Sequence, residues 1–186
     1  MKIKNGDVII FPTDTVYGIG ALANDKLGQD KIYKIKERST EKRLSILCSS
    51  LEDIKKIAIV TLDAEKLIKE FMPGALTIIL NTKEDLINDL IHETVGVRIP
   101  NHSLALRILK ENGPLATTSV NISGEAPMND YLEILKKFGN DVTYVYPNVN
   151  NVSNVSSTVI NMTVNPYKIL RVGEITSNMI EKCLNK

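Results

Sequence analysis

DVIIFPTDTVYGIG, residues 7–20, decides how this chain is read. The β-branched run from Asp7 to Phe11 is closed by Pro12, which has no N–H for a sheet ladder. The run therefore reads as a short buried strand feeding a loop, Thr13 to Gly20, where functional side chains can be presented on a rigid scaffold. At its plainest the loop is a turn: Pro12 sets φ, Thr and Asp side chains bond nearby backbone, and Gly18 and Gly20 adopt dihedrals closed to other residues. Gly18, Gly20 and Ala23 also spell GxGxxA. A dinucleotide fold, however, sets its first glycine directly after the strand, and here Pro12 to Gly18 intervene.

Working outward, Asn24 and Asp25 can cap a helix with Leu27, Ile32 and Ile35 on one face, ending among the charges near Arg38. Leu44–Cys48 reads as a strand. Two helices follow, Glu52–Ile59 and Leu62–Phe71, the second capped by Thr61 and stopped by Pro73 and Gly74. Strands are expected at Ala75–Leu80 and at Thr94–Ile99, whose alternation puts Val95, Val97 and Ile99 on one side and Arg98 on the other. A helix over Ser103–Glu111 and a strand over Leu115–Thr118 lead into SVNISGEAP, a composition that only a loop accommodates. Beyond it come a helix near Asp130–Phe138, strands at Val142–Tyr146, Ser157–Ile160 and Lys168–Val172, the Asn/Val/Ser-rich stretch Asn148–Ser156, and a last helix after Thr176. Strands and helices interleave without strict βα alternation, so the expected fold is an open α/β (α+β) arrangement, a mixed sheet flanked by helices.

The 186 residues, 43% of them hydrophobic, suit one domain over residues 1–186. With 23 Lys and Arg against 22 Asp and Glu, no strong overall field exists, and a site for a polyanion must be a local patch. Cys48 and Cys183 form no CxxC or Cys/His cluster, which argues for a reducing, cytoplasmic setting and against a structural metal. No apolar stretch approaches a membrane span or a signal segment.

Four polar segments could carry chemistry. The first is Pro12–Gly20. The second is KIKERSTEKRLS, Lys34–Ser45; from Lys26 to Arg43 seven basic residues face three acids. Such a run is ordinarily a solvated face, but Lys36 and Arg38, two apart beyond a helix end, can aim a point charge and a planar fork at one polyphosphate. The third is Arg98: on a solvent face it needs no explanation, and on a cleft face its fork fits a carboxylate. The fourth is TTSVNISG, Thr117–Gly124, rich in hydroxyl and amide donors suited to phosphate or ribose. No Walker A motif, nucleophile elbow or HExxH pair occurs, and His92 and His102 lack metal-ligand spacing, so chemistry here would rest on positioning and charge neutralisation.

In order, these segments resemble the YrdC-like threonylcarbamoyl-AMP synthase family, TsaC in bacteria. PTDTVYGIG is similar to its PTET-VYGLG opening, Lys36–Arg38 to its KxR, Ser119–Asn121 to its SxN, and SSTVIN and LRVG to its closing STVVD and LRxG. The sequence departs from the family pattern in KERS for KGRP, KRL for KPL at Lys42–Leu44, SVN for SAN, and Asn161 for Asp. The resemblance implies a twisted mixed sheet with a basic concave surface, and condensation of L-threonine, bicarbonate and ATP to threonylcarbamoyl-AMP and pyrophosphate. It implies Thr13, Arg98, Thr117 and Ser157 around threonine. Lys36, Arg38, Thr40, Thr94, Ser119, Asn121 and Arg171 would hold ATP, with Lys36 and Arg38 acting in catalysis and Mg²⁺ arriving with the nucleotide. It further implies tRNA modification through a TsaD-type transferase, with tRNA or double-stranded RNA as a further partner. Rival readings are an RNA-binding module, disfavoured by three Phe and no Trp for stacking, carbamoyl-adenylate chemistry, which belongs to much longer chains, and a generic nucleotide-binding fold, which would bind ATP indifferently to threonine.

Overall fold

A computed structural model describes residues 1–88, 90–148 and 153–185. In chain order the elements are β1 (Ile9–Phe11), β2 (Gly18–Leu22), α1 (Lys26–Ile35), β3 (Ser45–Leu47), α2 (Leu51–Ile57), α3 (Leu62–Phe71), β4 (Leu76–Asn81) and β5 (Thr94–Arg98). They continue with α4 (Ser103–Asn112), β6 (Leu115–Ser119), α5 (Tyr131–Phe138), β7 (Tyr144–Val145), β8 (Thr158–Asn161), β9 (Lys168–Arg171) and α6 (Ser177–Leu184). The strands form one open, mixed sheet in the order β7-β1-β2-β6-β3-β5-β4-β8-β9. β1–β7, β3–β5 and β4–β8 are parallel and the other pairs antiparallel.

Side-chain alternation splits each strand between two faces. Ile10, Ile19, Ile46, Ile78, Val97 and Ile160 enter a large buried cluster with Ile32 of α1, Ile54 of α2, Leu67 of α3, Ile134 of α5 and Ile180 of α6. On the other face Ile9, Phe11, Leu47 and Leu115 pack with Ala105, Ile108 and Leu109 of α4. Five helices thus cover one face, while α4 covers only part of the second. The rest of that second face is where Ser45, Thr77, Arg98, Thr117 and Ser119 project into a cleft. Covering both faces is also why β1 reads as an unbroken apolar run rather than an alternating one.

Helix starts follow local chemistry. Ser50, Thr61, Asp130 and Thr176 each accept from a backbone N–H three residues on, capping α2, α3, α5 and α6. Asp25 precedes α1 without capping it; its carboxylate instead accepts the Gly6 N–H at 2.6 Å. Two further expectations change. Leu27 is 64% exposed, and the buried face of α1 is Gly28, Gln29 and Ile32. Leu27 and Ile32 are five residues apart, well round the helix from each other. Gly18–Gly20 is strand, not loop. Neither glycine has the positive φ that a turn would exploit, in contrast to Gly6, Gly113 and Gly124. They are small for lack of room: a Cβ on Gly18 would lie 2.9 Å from Thr117 Cγ2, and one on Gly20 would lie 2.9 Å from Thr117 Oγ1. Part of the Asn148–Ser156 stretch, residues 149–152, falls outside the described residues.

Candidate active site

The cleft has a volume of about 260 Å³ and is lined by residues from β2, β3, β4, β5, β6, β8 and β9 and from the segments between them. Among the described residues four arginines line it, Arg38, Arg43, Arg98 and Arg171, and no carboxylate does. The local basic patch required by a near-neutral chain is therefore present. Hydroxyls supply most of the remaining polarity: Thr13, Thr15, Ser45, Thr77, Thr117, Thr118, Ser119, Ser156 and Ser157.

At the inner end, Arg98 is 6% exposed, and each of its three guanidinium nitrogens makes one hydrogen bond. Its Nε donates to Gly74 O at 2.9 Å, Nη1 to Thr15 Oγ1 at 2.7 Å, and Nη2 to Asp14 Oδ1 at 2.7 Å. Asp14 also accepts the Asn101 N–H at 3.0 Å. Burial lowers the Arg98 pKa and the adjacent Asp14 carboxylate opposes that shift; the guanidinium remains a cation. Three of its five N–H groups are used here, so one stays on each terminal nitrogen. Beside it, Thr13 Oγ1 donates to Val16 O at 2.6 Å, and Thr77 Oγ1 lies 2.8 Å from Ser157 Oγ. Arg171 reaches the same spot, donating from Nε to Ser157 O at 2.9 Å.

The outer end is built by the way α1 stops. Glu37 N–H donates to Lys34 O at 3.1 Å and Arg38 N–H to Tyr33 O at 2.9 Å, with Glu37 at φ +50°. This is a Schellman stop with glutamate at the position usually given to glycine. The reversal sends Lys36 and Arg38 to different places. Lys36 is 1% exposed and points inward, its Nζ donating to Ser119 O, to Asn121 O at 2.7 Å and to Asn121 Oδ1 at 3.0 Å. In return Ser123 N–H donates to Lys36 O at 2.8 Å. Lys36 thereby clasps the SVN loop, whose Ser119 Oγ donates to Asn121 Oδ1 at 2.7 Å. Burial, with Arg38 nearby, pulls the Lys36 pKa down to about 8, while three oxygen acceptors favour its ammonium form. Arg38 lines the cleft and braces the turn beneath it, donating from Nε to Lys42 O at 2.8 Å and from Nη2 to Arg43 O at 3.2 Å.

Of the residues expected from sequence, Thr13, Arg38, Arg98, Thr117, Ser119, Ser157 and Arg171 line one cleft. Lys36 and Asn121 stand behind its wall, buried and bonded to each other. Thr40 is exposed in the turn after α1 and Thr94 sits at the start of β5; neither lines the cleft. Reading the sequence missed Asp14, Thr15, Thr77 and Arg43. Asp14 and Thr15 lie inside a segment already singled out, but nothing local reveals that their partner is Arg98, 84 and 83 residues away. Arg98 itself leaves the default solvent face for the alternative cleft face.

The family model for Sua5/YciO/YrdC, described as telomere recombination, matches residues 1–173. A protein named putative threonylcarbamoyl-AMP synthase from Mycobacterium tuberculosis is 33% identical over 98% of this chain and 85% of its own length. One of the same name from Methanocaldococcus jannaschii is 35% identical over 98% of this chain and 87% of its own. The crystal structure of Pyrococcus abyssi Sua5 complexed with L-threonine superposes with a TM-score of 0.90 at 33% identity, covering 96% of this chain but 54% of that one. This chain therefore spans only about half the length of that structure. With residues 1–173 matched and relatives at this identity across nearly its whole length, the chain belongs to the Sua5/YciO/YrdC family.

Proposed function

We propose that this protein is a threonylcarbamoyl-AMP synthase, condensing L-threonine, bicarbonate and ATP into L-threonylcarbamoyladenylate and pyrophosphate. One observation carries the reading. A single cleft joins a buried arginine with two N–H groups to spare to a rim of arginines that have no carboxylate partner among the described residues. The first suits an amino-acid carboxylate and the second a triphosphate. Relatives so named and a threonine-bound structure of similar fold support it.

In this reading Arg98 orients threonine through its carboxylate, with Thr13, Thr117 and Ser157 around the substrate. The threonine amine, as free base, attacks bicarbonate carbon, and loss of water leaves a carbamate. A carbamate oxygen then attacks the α-phosphorus of ATP, the α–β bridging bond breaks, and pyrophosphate leaves with the electron pair. Arg38 and Arg171 neutralise the charge that grows on the phosphate oxygens, and Ser119 offers a hydroxyl. No side chain becomes covalently attached, so catalysis rests on orientation and fixed charge. Lys36 and Asn121 act on this chemistry by holding the SVN loop, and Thr94 acts from beside the cleft.

Mg²⁺ would arrive on the triphosphate and screen it. The lining donors are guanidiniums and hydroxyls, and no cluster of three or more His, Cys, Asp or Glu side chains suited to a metal occurs among the described residues. The residues present thus fit a metal carried by the nucleotide. The adenylate would pass to a TsaD-type transferase for tRNA modification in the cytoplasm, with tRNA or double-stranded RNA as a further ligand. Among the described residues no helix is long and apolar enough to cross a membrane.

The test is pyrophosphate release from ATP with threonine and bicarbonate supplied separately and together, and the product identified by mass. Release requiring both, with a threonylcarbamoyl adenylate formed, is the expected result. ATP binding without release under any combination would remove the synthase reading.

A further inference from the structure

Arg43 is a cation that neither motif nor resemblance singles out; it stands where the KRL run departs from the family's KPL. It lines the cleft from the turn between α1 and β3 and is exposed. Its Nη1 donates to Thr94 O at 3.3 Å and Thr94 Oγ1 at 3.0 Å, which ties the turn to the start of β5. Its backbone carbonyl accepts from Arg38 Nη2 at 3.2 Å, so the two arginines are held in one frame. Nε and both Nη2 hydrogens have no protein acceptor among the described residues. No carboxylate lies within ion-pair distance of Arg38, Arg43 or Arg171 among those residues, although eight other cationic groups, including Arg98 and the N-terminus, do have acidic partners. Three guanidiniums thus line one cleft with no built-in counter-charge among the described residues, and their free N–H groups are best matched by a ligand of several negative charges.

We propose that Arg43 is a phosphate-binding residue of this chain, joining Arg38 and Arg171 to hold the β- and γ-phosphates of the nucleotide and the departing pyrophosphate. The proposal rests on the synthase reading for the identity of the nucleotide, not for the existence of the subsite. Anchored at Nη1 by Thr94, the guanidinium is oriented before a ligand arrives, so little side-chain freedom is lost on binding. The bond also gives Thr94 a part in ATP binding without contact: it aims Arg43.

The test is calorimetric titration of the full chain with ATP, ADP, AMP, inorganic pyrophosphate and L-threonine, for the unaltered protein and for Arg43→Ala and Arg43→Lys. For Arg43→Ala, the dissociation constants of ATP and pyrophosphate should rise about tenfold, as expected for one lost charge-assisted phosphate contact. AMP and threonine should stay within about twofold, and Arg43→Lys should recover part of the loss by restoring the charge without the fork. An equal weakening of every ligand would mean that Arg43 only braces Thr94, and unchanged ATP affinity would mean that it touches nothing; either overturns the proposal. Should Arg43→Ala melt early, Arg43→Lys decides, by whether ATP weakens while AMP does not. The synthase reading fails separately, through absent threonine- and bicarbonate-dependent release in the unaltered chain, and the graded nucleotide response would survive that failure.

Discussion

The two ends of the cleft handle positive charge in opposite ways. At the inner end Arg98 is buried, its carboxylate partner Asp14 is built in, and the surrounding hydroxyls are bonded before any ligand arrives. Elsewhere in the lining, Arg38 and Arg43 at the outer end and Arg171 beside Ser157 use only part of their hydrogens, on carbonyls and hydroxyls, and pair with no acid among the described residues. A buried guanidinium without a counter-charge would be prohibitive, so the inner end must carry its own anion. A solvated rim can leave charge unspent for a polyanion. The difference separates a rigid recognition pocket from a poised electrostatic one.

The largest effect should come from the outer end. Lys36→Ala removes the clasp on Ser119 and Asn121, and turnover should fall about a hundredfold or more, as for loss of a transition-state donor. Unlike Arg38→Ala, it should also lower the urea midpoint, because three acceptors, two of them buried, lose their donor. The pH profile sharpens the same point. Lys36 titrates near 8 when folded and in the ordinary lysine range when unfolded, so between those values the unfolded chain holds more protons. Stability should gain from this group as pH rises above about 8, and Lys36→Met should lack the gain.

Next comes the inner pair. Arg98→Ala strands Asp14 and should cost about 3–5 kcal/mol in denaturant unfolding, with threonine binding lost. If the cost is instead within error of a rim substitution such as Arg171→Ala, the contrast between the two ends collapses. Smaller still, Gly18→Ala drives a methyl toward Thr117 Cγ2 and should cost about 1–3 kcal/mol. Thr117→Ser removes that methyl and should relieve most of the cost in the double variant, whereas additivity would break the account of why Gly18 is small. The smallest effect is Glu37→Gly, which should stabilise by about 1 kcal/mol by removing a left-handed strain without touching the cleft. Unchanged stability would show that the αL turn costs glutamate nothing here.

Legibility in the sequence tracked how local each cause is. The α3 bounds, Leu62–Phe71, were readable because Thr61 and Pro73 act within a few residues. β2 was not, because GIG looks like a turn, and only the proximity of Thr117 across the sheet explains small residues in a strand. Of the seven expected site residues that meet in the cleft, Thr13, Arg98, Ser119, Ser157 and Arg171 end or flank a strand, a position that pattern can find. Arg43 hid in a charge run of the kind that is usually solvated. The partner of Arg98 hid because a salt bridge across 84 residues leaves no trace in spacing.

By itself, then, the sequence determined most of the elements though not β2, the mixed character of the sheet, the family and the residue types available for a polyanion, since periodicity, caps and ordered motifs are properties of contiguous chain. Tertiary structure alone decided which side of the sheet stayed open, that Lys36 turns inward while Arg38 faces the cleft, and that one arginine is neutralised while three are not. Those outcomes depend on which strands become neighbours and on how much water each charge retains, and both are settled only when distant segments pack.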